Sequence, residues 1–217
     1  MEGKIYKADW RNKVEHSDYC CWSTFNTTDN AFGVLHVFND ETLTASATIL
    51  HQVTADSQIL LLPIVGGVDF KSNHQNGFFH INQLQVLHLK KGHSFDISNP
   101  YENESVRYFQ IQLHSVNDEN DFQNDFNLSQ RNQLIPIFEN EKANVFIGIY
   151  DGRTEETHTI NQNKNGLFTF IIQGAFEFQN RLLESGDALH LLGIETVEFE
   201  ALSENAMLLV VEIIISN

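Results

Sequence analysis

The sequence predicts an all-β chain folded as two antiparallel barrels of the jelly-roll, double-stranded β-helix type. Three observations predict it. Short apolar runs alternate with polar residues instead of following a helical period, turn residues close them at even spacing, and the whole pattern occurs twice.

In order, residues 4–6 read as a short strand and 20–25 as a second, followed by a turn at Asp29-Asn30. Residues 32–38 alternate as a strand that Asn39-Asp40-Glu41 turns. A dense series follows at 44–50, 58–65, 68–71, 77–81, 84–89 and 93–97, broken at Gly66-Gly67, at 73–77 and at Lys90-Lys91-Gly92. In 107–113, Tyr108, Gln110 and Gln112 alternate with Phe109, Ile111 and Leu113, the mark of a half-buried strand. Residues 1–114 are thus expected to form the first barrel. The acidic, amide-rich stretch 115–142 reads as a linker with a short helical turn near 129–133. The second barrel, 143–217, has strands at 145–150, 157–160, 167–173, 175–178, 181–183, 188–192, 196–201 and 207–215. Its turns sit at Asp151-Gly152, Asn165-Gly166, Gly174 and Ser185-Gly186-Asp187. Each block has a strand ending in glycine (Gly66, Gly174), then a hairpin and a returning strand, which reads as a duplication.

Composition excludes several functions. With 29 acidic against 13 basic residues, the formal charge is -16. Nucleic-acid binding begins with cationic neutralisation of phosphates, so no nucleic-acid partner is expected. The two cysteines, Cys20 and Cys21, are neighbours and read as reduced thiols. No apolar run approaches the roughly 18 residues of a membrane span, and the N-terminus has no apolar signal core, so a soluble, cytoplasmic protein without a membrane partner is expected. A phosphate loop, a Gly-x-Ser-x-Gly elbow and a Cys-x-x-Cys pair are all missing.

Phe32-Gly33 with Asn39-Asp40, Trp22-Ser23-Thr24-Phe25, the 58–66 strand, Gln85-Val86-Leu87, Gly92, Asn99-Pro100 and Phe109-Gln110-Ile111 resemble the pirin family over nearly the whole chain. That resemblance implies a bicupin, two cupin barrels in one chain. Metal-binding pirins carry His-x-His and a later His-x-Glu in the first barrel, a set suited to iron or a similar divalent transition metal. Anchored on Asp56 to Leu60, the two histidine positions fall on Gln52 and Thr54; anchored on Gly92 and Asn99, the others fall on Phe95 and Ile97. All four ligands are replaced. Phe95 and Ile97 share one strand face, so facing inward they would fill the volume of a metal and its water. On this register His51 turns to the opposite face, and a slip of one residue would reverse that assignment. Gly152 and His158 echo a cupin metal motif in the second barrel, but Ile160 stands at the partner position, and His158 reads as a strand histidine.

The expected function is therefore a metal-free, cofactor-free bicupin that binds a small organic ligand or a protein partner in a regulatory role. The candidate pocket in the first barrel comprises Gln52, Thr54, Gln58, His93, Phe95 and Ile97. The alternative is a metal-dependent dioxygenase of quercetinase type, which the resemblance suggests. It would need one divalent metal, iron first, on an unconventional set drawn from His51, His80, His88 and His93. Nothing in the sequence fixes the oligomeric state.

Overall fold

The computed structural model describes residues 2–25, 31–73, 75–114 and 120–215. The expected turn at Asp29-Asn30, residue 74 of the 73–77 turn and the first residues of the acidic stretch, 115–119, lie outside them. Twenty-one strands and one 3-10 turn, Ala8–Trp10, make up the regular structure among the described residues. They form two compact units.

One unit comprises described residues within 12–31 and 35–125. Its larger sheet contains β2 (Asn12–Glu15), β3 (Tyr19–Phe25), β4 (Leu35–Leu43), β6 (Ser57–Val65), β9 (Gln83–Leu89), β11 (Val106–His114) and β12 (Phe122–Asp125), in the order β12-β9-β6-β11-β4-β3-β2. The smaller sheet is β5 (Thr48–Gln52), β10 (Ser94–Ser98), β7 (Val68–Ser72) and β8 (Asn76–Phe79), ordered β5-β10-β7-β8. Every pairing is antiparallel. Alternation supplies the core: Ile59, Leu61, Leu87 and Leu89 pack with Phe70, Phe79, Phe95 and Ile97. Burying each of these side chains contributes about 1.5–3 kcal/mol.

Asn99 fastens the corner after β10. It is buried, its Nδ2 donates to the carbonyls of Leu43 (3.2 Å), Thr44 (2.8 Å) and Glu104 (2.7 Å), and its Oδ1 accepts from the Tyr101 amide (2.9 Å). Asn99→Ala strands these backbone groups and is expected to cost about 2–3 kcal/mol in denaturant unfolding. Unchanged stability would show that water replaces the amide.

The other unit comprises described residues within 1–11, 32–34 and 126–217. Its larger sheet is β1 (Glu2–Tyr6), β19 (Ala188–Leu192), β16 (Gly166–Gln173), β21 (Ala206–Ile213), β14 (Ala143–Tyr150) and β13 (Ile135–Glu139), in that order. The smaller is β15 (Glu155–Thr159), β20 (Thr196–Ala201), β17 (Ala175–Phe178) and β18 (Leu182–Glu184), in that order.

This division differs from an expected split at 114. Residues 2–6 belong to the second barrel: β1 adds to the edge of β19, with Glu2 opposite Leu192 and Tyr6 opposite Ala188. Asp187, buried in the predicted Ser185-Gly186-Asp187 turn, holds the strand's exit by accepting from the Ala8 amide (2.9 Å) and from Lys7 Nζ. The expected linker also dissolves into both units. β12 pairs with β9, β13 pairs with β14, and residues 129–133 form turns and bends without a helix. Finally, Asn39-Asp40-Glu41 is no turn. β4 runs on to Leu43, with Asp40 gripped in two-point contact by Arg107 (2.7 and 2.9 Å).

Candidate functional site

Because β4 continues through Asn39-Asp40-Glu41, its alternation puts Asn39, Glu41 and Leu43 on the core side of the first barrel. Tyr108 lies directly opposite Glu41 on β11, and Cys21 opposite it on β3. From the smaller sheet, β5 brings Ile49 and His51 inward, with Leu50 and Gln52 outward. His51 faces Phe95 across the β5–β10 ladder, and their rings stack at 5.0 Å.

These placements build a closed polar cluster inside an apolar barrel. Glu41, fully buried, accepts from Tyr108 Oη at 2.5 Å, from Asn39 Nδ2 at 3.0 Å, and lies 3.2 Å from His51 Nε2. The His51 nitrogen is also 3.3 Å from Tyr108 Oη. Burial opposes ionisation of Glu41, but the charge of His51 and hydrogen bonds from His51, Tyr108 and Asn39 outweigh it, so its pKa falls below the ordinary value. Burial, then the Glu41 charge, pushes the Tyr108 phenol well above its usual range, so it stays a donor. Across from Asn39 stands Gln110, also buried, and both carry a buried side-chain oxygen with no hydrogen-bond partner.

The residues singled out in the sequence fall as follows. Phe95 and Ile97 are buried in the core. Gln52 and Thr54 are exposed, a correction to the expected pocket; the inward residues are His51 and Val53, one position earlier in each case. The polar residues on both sides of Val53 make the two registers equally readable from sequence, and only the pairing of Phe95 with His51 decides. Gln58 is buried, but on the sheet face opposite Ile59 and Leu61, where its amide bonds His88 Nε2 at 2.7 Å. His93 sits half-buried at the turn before β10, where its carbonyl accepts from the Val53 amide. His80 is exposed and hydrogen-bonded to the Ile81 carbonyl, and the His88 amide donates to Asp121 at 2.6 Å. The set His51, His80, His88 and His93 is thus not brought to one point. Among the described residues, no three His, Cys, Asp or Glu side chains are grouped so that they could hold a metal ion.

A metal does not fit the first barrel as it stands. The inward positions His51, Val53, Phe95 and Ile97 offer one imidazole, whose Nε2 already lies against Glu41 and Tyr108. Glu41 went unrecognised because Asn-Asp-Glu reads as a turn; its one signal was the apolar Leu43 two residues on.

Two jelly-roll barrels in one chain define a bicupin. Residues 129–213 match the quercetinase C-terminal cupin domain. The bacterial pirin YhhW from Escherichia coli, solved in complex with nickel(II), superposes with a TM-score of 0.84 at 15% identity, covering 99% of this chain and 100% of that one. YhaK from E. coli gives 0.75 at 14% identity, covering 94% of each chain. A quercetin 2,3-dioxygenase from Acinetobacter baumannii gives 0.73 at 11%, covering 97% of this chain and 85% of that one. No curated protein matches the sequence significantly. The chain thus has a cupin-family match over its second barrel and shares the pirin fold over its full length.

Proposed function

We propose that this bicupin works without the metal that the pirin resemblance implies, as a non-catalytic protein that binds a small organic ligand or a protein partner in a regulatory role. One observation carries the reading: three of the four inward positions around His51 are Val53, Phe95 and Ile97, which have no electron pair to give. The closed Glu41–His51–Tyr108 cluster supports it, since its polar groups already satisfy one another. The net charge of -16 favours a partner that is neither nucleic acid nor an anionic membrane surface. No helix among the described residues is long and apolar enough to cross a membrane.

A second reading, a metal-dependent dioxygenase, is favoured by the retained inward His51 and by the names of two structural relatives, one a nickel complex and one a quercetin dioxygenase. Elemental analysis of purified protein, with calorimetric titration of Ni(II) and Fe(II), separates them. The metal-free reading expects no stoichiometric metal and no saturable binding. About one ion per chain, lost in His51→Ala, would overturn the metal-free reading and favour the dioxygenase.

A further inference from the structure

The second barrel contains a cavity of about 320 Å3 lined by Phe138, Phe146, Asn144, His158, Glu212 and the exposed Glu139, among others. Its polar floor follows from register. Glu212 falls on the core-facing side of β21, two residues beyond Val210, and lies opposite Asn144 on β14. Glu212 is 1% exposed and receives Asn144 Nδ2 at 2.9 Å on one oxygen and His158 Nε2 at 2.8 Å on the other. The donation to a carboxylate fixes the amide's orientation, because a carboxylate accepts only. It leaves Asn144 Oδ1 buried and without a partner, in a residue only 5% exposed. A buried acceptor left bare costs free energy, and the residue that carries it is one of those lining the cavity.

The other groups point to the same chemistry. His158 Nε2 is committed to Glu212 and holds the imidazole against the cavity floor. Three carboxylates act on this corner (Glu139, Glu141 and Glu212) against one ammonium, Lys164, whose Nζ is spent on the carbonyls of Asn140 and Glu141. The Phe146 ring meets His158 edge-on at 5.0 Å, and Phe138 and Phe146 give the cavity aromatic surface. Acceptors, excess negative charge and aromatic faces together recognise a cation that carries several N–H donors.

We propose that this cavity is a binding site for a small primary ammonium compound with an apolar or aromatic tail. Its N–H groups are received by Asn144 Oδ1 and a carboxylate, and the tail lies against Phe138 and Phe146. The inference concerns the second barrel alone and stands whether or not the first holds a metal.

The test uses the full chain and three matched probes, benzylammonium, benzyl alcohol and benzoate, followed by heteronuclear NMR titration. Benzylammonium is expected to saturate, shifting the amides of Phe138, Phe146, Thr159 and Asn161. The alcohol should bind about tenfold more weakly or worse, and benzoate not at all. Asn144→Leu should weaken benzylammonium about tenfold. If that variant does not fold, Glu139→Gln, on an exposed residue, must still weaken it severalfold. Absence of saturation in the wild type, equal affinity for all three probes, or shifts that map away from the cavity would overturn the proposal. Such a failure leaves the metal content of the first barrel, and the reading built on it, untouched.

Discussion

Glu41→Ala is expected to be the most destabilising single substitution in the first barrel, by about 3–5 kcal/mol, or roughly 10 °C in melting temperature. The carboxylate is fully buried and is the hub for three donors: Tyr108, Asn39 and His51. Removing it leaves a phenol, an amide and an imidazole in an apolar barrel without their shared acceptor, and that desolvation, more than the lost attraction, sets the cost. A triple variant, Glu41→Leu with His51→Leu and Tyr108→Phe, removes every member together and should recover most of the loss. If the triple variant is as unstable as the single one, the cost does not come from stranded partners.

The same carboxylate gives an acid-side signature. Its pKa in the folded chain lies below the ordinary 4.5, so the unfolded chain binds more protons in the interval between the two values. Its contribution is therefore fully present above about pH 4.5 and is lost as pH falls through the folded value. Urea unfolding of Glu41→Gln should show a flatter decline below that pH than the wild type shows. Parallel declines would mean that other carboxylates carry the acid sensitivity.

Polar hubs of this kind leave little trace in a sequence, whereas turns and apolar faces leave a clear one. Hairpins such as those at Gly66, Gly92 and Gly174 were legible because glycines with positive φ (73°, 86° and 78°) interrupt clean alternation. Phe95 and Ile97 were legible as inward residues because apolar side chains two apart have one natural destination. Polar interior residues send the opposite signal. Asn39 and Glu41 imitate a turn, and Glu212 is hidden in the run Val210-Val211-Glu212-Ile213, where one charge among β-branched residues does not reveal its partner. Long-range pairing was equally silent. Residues 2–6 carry no mark of β19, more than 180 positions away, and β12 is an exposed edge strand with no alternation to read. The register of β5 turned on a single residue because Gln52 and Thr54 flank Val53 with equally polar neighbours.

That register makes a second large effect predictable: a metal site of the donor set that the pirin resemblance implies can be built into the first barrel. His51 and Val53 face inward two residues apart, Phe95 stands across the ladder from His51, and Ile97 shares its face. Val53→His, Phe95→His and Ile97→Glu together would surround one point with three imidazoles and a carboxylate, the donor set that the pirin resemblance implies. Each substitution buries a polar group in place of an apolar one, so the variant is expected to be less stable without metal and to recover when it binds. Ni(II) affinity by competitive titration should rise at least about a hundredfold over the wild type, equivalent to roughly 2.7 kcal/mol. His51 must then either release Glu41 or bring its carboxylate into the coordination sphere. Tyr108→Phe in the same background removes one competitor for His51 Nε2 and should raise the affinity further. A folded variant that gains nothing would show that the barrel has closed around Phe95 and Ile97 beyond what these side chains alone impose, and wild-type affinity already equal to the variant's would place the metal on residues other than these four.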